Sequence, residues 1–312
     1  MAHFAGASTL NFGGATPTGN FVPTIYSKQV QLIFRRKSVV EMITNNDYLG
    51  EITDFGDTVQ ILKEPTITVS SYTRNATVAP QSLTDDEIVL VLDQANKFAF
   101  KIEDIETRIS HINWEALATN RAAYQLKNHY DREVLAFMAD PANILDANEM
   151  NDQDEANTLD WTTPDALLNG ISSMSTRLSL QDVPEEDRFL VLPYEAMEVL
   201  ARADSKLLNA DTNGGAANLQ TNPHFKGTLR GFQIYATNDA PTYTSTGTGG
   251  TNVGRYAVVA GHMSAVATAN SILKTEKIRD QDTFADIVRG LHVYGRAVVR
   301  PESLAVAHAK FA

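Results

Sequence analysis

From Thr58 to Ile102 the chain alternates between apolar and polar residues in two long runs around a polar tip. Val59 and Ile61 share one side of the first run, which Pro65 interrupts before Ile67 and Val69 resume it. A proline cannot donate to a ladder, so this arm is expected at an edge or with a bulge. Residues 70–83 are polar and hold Tyr72, Arg74, Asn75 and Pro80. In the returning run, Ile88, Leu90 and Leu92 alternate with Val89 and Val91, and Phe98, Phe100 and Ile102 continue the pattern. At ~3.3 Å per residue, an arm of a dozen residues reaches on the order of 40 Å. An isolated two-stranded ribbon is marginal in water. Apolar side chains on both faces of the returning arm make it more so. The ribbon therefore needs a surface, and a second molecule is expected to supply it.

A long helix follows. Ile105, Ile109, Ile112, Ala116, Ala123, Leu126, Tyr130, Val134 and Phe137 recur at spacings of three, four and seven, one face of an α-helix. Asp104 is a plausible cap and Pro141 lies beyond the stop. About 35 residues at ~1.5 Å each give roughly 50 Å, a spine for other elements.

The rest reads as a mixed α+β lobe. Residues 1–24 have neither period and read as an arm, and helical character begins near Thr24. Arg35, Arg36 and Lys37 follow; with Lys28 against Glu41, the first 46 residues carry four cations and one acid. Residues 141–160 read as a polar, acidic loop. Thr163-Pro164-Asp165 is a helix start, with Leu167, Ile171, Met174 and Leu178 as its inner face. Strands are expected at 188–192, 232–236, 256–260 and 291–299, and helices at 194–208 and, shorter, near 264–270. Residues 301–307 read as a last strand or a tail, and 211–217 and 242–254 as loops.

Composition narrows the function. The 312 residues suggest two lobes. There is no cysteine, hence no disulfide framework, and a reducing folding compartment is compatible. The net charge of -12 argues against a protein whose main task is gripping phosphates. The longest apolar-leaning window without Asp, Glu, Lys or Arg, 256–273, is too polar to span a membrane. No phosphate-cradling loop, dinucleotide fingerprint or nucleophile elbow occurs. The seven histidines show no paired metal-ligand spacing, and 152–155 lacks the glycine and closing glutamate of a calcium loop. No catalytic residue, metal site or cofactor is expected.

The order of arm, helix, hairpin, spine helix, mixed lobe and return strand resembles the major capsid protein of tailed bacteriophages, the HK97-like fold. GDTVQILKEPTITVSSYTRN and LTDDEIVLVLDQANKFAFKIEDIE are similar to its extended loop and the start of its spine helix. DRFLVLPYEAMEVL and GFQIYATNDAP resemble parts of its axial domain, and VRGLHVYGRAVVRPESLAVA its return to the peripheral domain.

The resemblance implies an α+β chain divided into arm and first helix (1–50), extended hairpin (51–103), spine helix and peripheral domain (104–151), axial domain (152–278) and peripheral return (279–312). It implies hexamers and pentamers forming an icosahedral shell around double-stranded DNA, which is bound non-specifically. A portal protein, a separate scaffolding protein and a cement or decoration protein are the implied partners, with no membrane. The implied location is the virion capsid, assembled in the host cytoplasm. Ile67, Val69, Tyr72, Arg74, Leu90 and Leu92 become expected inter-subunit contacts, and Arg35, Arg36 and Lys37 an inward-facing basic arm. A loop near 214–217 would adapt to five- or six-fold packing. Some members cross-link a hairpin lysine to a neighbour; here the tip carries Arg74, so no covalent bond is expected. Two rival readings are an encapsulin-like compartment housing an enzyme, and a soluble α+β enzyme.

Overall fold

The computed structural model describes residues 38–47, 58–63, 67–69, 71–74, 77, 80–82, 86–104, 114–150, 159–202, 228–242 and 255–311. The expected arm, the triplet 35–37, the acidic run 152–155 and the loops at 211–217 and 243–254 lie outside these residues.

Two larger sheets and a two-stranded hairpin organise the described residues. Seven strands form the larger: β4 (Glu149–Met150), β5 (Leu159–Asp160), β6 (Arg188–Pro193), β7 (Thr228–Leu229), β8 (Phe232–Thr237), β9 (Arg255–His262) and β12 (Leu304–Lys310). Their order is β4-β12-β9-β6-β8-β7, with β5 also against β12. Strands β6 and β8 are parallel, so the chain must cross over between them, and α4 (Tyr194–Leu200) begins that crossover.

The sheet is covered on both faces, which is why its strands read as nearly continuous apolar runs. Leu190, Leu192, Val258, Ala260, Ala305, Ala307 and Ala309 point into one core with α3 (Pro164–Leu180) and α4. The alternate residues Phe189, Val191, Ala257, Val259, Leu304 and Val306 point into a second core. There they meet α2 (Trp114–Met138) and the short α1 (Val40–Ile43). Helix α3 starts as its sequence demands: Thr163 Oγ1 accepts from the Ala166 N–H at 3.4 Å, Pro164 occupies the first turn, and Leu167, Ile171, Met174 and Leu178 are buried.

The smaller sheet is β10 (Val266–Arg279), β11 (Ala285–Val298) and β3 (Gln94–Glu103), in the order β10-β11-β3. A short helix was expected near 264–270, but β10 occupies most of that span. Ala267 and Ala269 face a third core while Val266 faces the second. Antiparallel pairing with β11 overrides the helix preference of the alanines.

One other expectation is corrected. The returning arm does not run on as one strand. β2 (Asp86–Val91) pairs with β1 (Thr58–Lys63), whereas β3 pairs with β11. The change of partner occurs at Leu92–Asp93, beside Gly295; a Cβ at that glycine would lie 2.3 Å from the Val91 carbonyl oxygen. The span 301–307, read as a last strand or a tail, opens with a short turn of helix and then forms β12, which lies inside the larger sheet between β9 and β4. Its run LAVAHA suits a strand buried on both faces.

Helix α2 is the expected spine. Its 25 described residues end at Met138; Asp104 is helical, and 105–113 lie outside the described residues. Tyr130, Val134, Leu135 and Met138 are buried against the larger sheet and α1. Leu135 and Met138 were absent from the expected stripe, which had Phe137 near their place.

Candidate subunit interface

The β1-β2 hairpin is buried at its root and bare beyond it. The register Val59↔Leu90 and Ile61↔Ile88 puts four apolar side chains on one face. That face lies on Ala267, Ala269, Val293 and Ala297 of β10 and β11. The other face, with Leu62 at 76% exposure and Val89 at 42%, is open.

The six expected contact residues therefore divide. Leu90 is 0% exposed and Leu92 2%, so they belong to the chain's own core and have no area to give a neighbour. The correction follows from the change of strand partner, which lays the root over β11. Ile67, Val69 and Tyr72 are 68, 93 and 71% exposed, and Arg74 is exposed in a turn. The two arms stay in touch above the strands, where the Thr68 N–H donates to Gln81 Oε1 at 3.1 Å. Three large apolar groups in water beyond a fixed root form the kind of surface that marks association.

The basic triplet lies outside the described residues, but its neighbour Ser38 is held. Ser38 Oγ donates to Asp131 Oδ1 at 2.7 Å, and the Val39 N–H to Asp131 Oδ2 at 3.3 Å. Asp131 sits on α2, 5% exposed, and burial raises its pKa against the lowering effect of these bonds. One turn earlier, Lys127 pairs with Glu41 at 2.9 Å. The chain therefore leaves the described structure at a point fixed on the spine helix.

The sequence did not single out Phe284. It is 83% exposed in the turn joining β10 to β11. The available signal was the run DQDTF, four polar residues and one large aromatic between two alternating strands.

The sequence matches the profile of a family described as phage capsid protein over residues 85–307. The chain belongs to the phage capsid protein family. Among solved structures it is similar to that of Mycobacterium phage Che8, with 26% identity and a TM-score of 0.76 over 92% of this chain and 97% of that one. The capsid of cyanophage P-SCSP1u gives 16% identity and a TM-score of 0.73 over 98% of each chain. The mature capsid of bacteriophage PhiM1 gives 19% and 0.63 over 92% of this chain and 91% of that one. No curated protein matches the sequence. The fold is HK97-like, with mixed helix and sheet. The chain is a major capsid protein, a structural protein and not an enzyme, and it self-assembles into the virion shell. The compartment reading is not favoured.

Proposed function

We propose that copies of this chain close into an icosahedral shell of hexamers and pentamers around double-stranded DNA, with each hairpin lying on an adjacent subunit. The supporting observation is the gradient along the hairpin: Leu90 has no exposure at the root, and Val69 has 93% beyond it. The root fixes the direction of the arm, and the bare tip gains by burial elsewhere. Interfaces of obligate assemblies bury a few thousand Å2, and tips of this kind from many copies contribute to such a total.

The basic residues Arg35, Arg36 and Lys37 face the interior, where they meet phosphates without reading sequence. A separate scaffolding protein directs assembly in the host cytoplasm, a portal protein occupies one vertex, and a cement protein is a further partner. Contacts, not a covalent bond, hold the tip, since Arg74 stands there and lysine does not.

The test is deletion of residues 70–82. The variant should fold, because its core lies below the deletion, and should fail to form shells. Normal shells from it would sink this reading.

A further inference from the structure

Two exposed patches on this chain complement each other. The first is the hairpin tip. Across residues 66–84 the single charged residue is Arg74, set among Ile67, Val69 and Tyr72. The second is the turn from Asp280 to Phe284. Here an aromatic ring stands in water beside two acids, Asp280 and Asp282.

This turn is rigid by construction. Thr283 Oγ1 donates to Asp280 Oδ2 at 2.5 Å, and the Asp282 N–H donates to Asp280 Oδ1 at 3.3 Å. Lys101 Nζ lies 2.6 Å from Asp280 Oδ2. The Asp104 N–H donates to the Phe284 carbonyl at 3.1 Å, and the Asp280 N–H to the Ala285 carbonyl at 2.9 Å. Arg279 grips Asp104 through both terminal nitrogens and reaches Asp286 at 3.2 Å. Asp280 is thus neutralised by Lys101, while the Asp282 carboxylate has no ion pair among the described residues. A large aromatic held this firmly loses little freedom when it binds, which is what an anchor residue requires.

We infer that the Asp280–Phe284 turn of one subunit receives the hairpin tip of a second copy, with Arg74 between the Asp282 carboxylate and the Phe284 ring. The chemistry fits: a guanidinium binds a carboxylate and stacks on an aromatic face. Ile67, Val69 and Tyr72 cover the rest of the ring. Both patches are bare within one chain, so the pairing joins two. Two such turns meeting each other would bring Asp282 against Asp282, and two tips Arg74 against Arg74, so each patch favours the other over itself. The inference rests on the hairpin reading proposed above.

Charge exchange tests it. Arg74→Glu and Asp282→Arg should each lower particle yield by about tenfold, the order of effect of one good charged contact, without lowering the melting temperature of the free subunit. Combined in one chain, they should restore particles. Failure of the combination to restore would overturn the pairing while leaving the hairpin reading intact. Full yield from both single variants would overturn it too. A second test uses the absence of native cysteine. Thr73→Cys with Gln281→Cys should give a ladder of covalent multimers when particles are oxidised, and neither single variant should. Particles without a ladder, or a dimer from one single variant, would contradict the pairing.

Discussion

A Cβ added to Gly170 would lie 2.3 Å from Cζ2 of Trp161. The indole occupies the space beside helix α3 that any other residue would fill, and it packs on Phe311 with ring centroids 6.0 Å apart. Glycine inside a helix ordinarily costs about 1 kcal/mol relative to alanine. Here the sign reverses. Gly170→Ala should destabilise the free subunit by roughly 1–3 kcal/mol, the cost of forcing volume into a packed core. Chemical denaturation of the monomer measures it.

The hairpin separates folding from assembly. Leu90→Ala should lower monomer stability by about 2–5 kcal/mol, because it opens a cavity under the root. Val69→Ala should leave the monomer within about 0.5 kcal/mol of the parent and reduce particle yield. Denaturation curves alongside sedimentation of the same variants would show whether the two effects part company.

Acid should weaken the subunit through its histidines. Burial lowers the pKa of His292. Burial also lowers that of His308, against the pull of Glu149, and that of His262, against Asp187. A folded pKa below the unfolded value of about 6.5 means that the unfolded chain binds more protons. Stability is then fully present above the unfolded pKa and is lost as pH falls through the folded values. Asp131, raised by burial, acts with the opposite sign above the ordinary carboxylate range. The melting temperature should fall between pH 7 and pH 5, and His292→Phe should flatten the decline. His292 packs on both Tyr130 and Tyr294, at centroid distances of 5.7 and 5.5 Å, and its Nδ1 has no hydrogen-bond partner among the described residues. An unchanged slope in that variant would count against the assignment.

Replacing Arg35, Arg36 and Lys37 together by alanine should spare folding and reduce DNA content or scaffold contact. Particle yield with nuclease-protected DNA is the readout. A full yield of filled particles would remove the inward basic arm from the account.

Much of this was legible in local pattern. The cap at Thr163, the inner face of α3 and the strands at 188–192 and 256–260 follow from spacing and capping alone. Partner choice was not. The returning arm keeps one phase from Ile88 to Ile102, interrupted only by polar Gln94 and Asn96 after Leu92, and that interruption does not say that the chain leaves β1 for β11 there. The close approach at Gly295 decides this, two hundred residues further along. Similarly, β10 begins with small residues that suit helix or strand, and only the register with β11 chooses. At the interface, alternation located the apolar side chains and could not say which were already buried. Leu90 and Val69 look alike in sequence, and only the fold separates them.

If the hairpin serves a second subunit, its tip must be found on one. Electron cryomicroscopy of particles assembled from this chain tests it most directly. Closed shells in which residues 67–74 of each subunit lie on a neighbour are the expected result. A stable monomer with its hairpin folded onto its own surface, or shells whose hairpin tips touch no other chain, would contradict it.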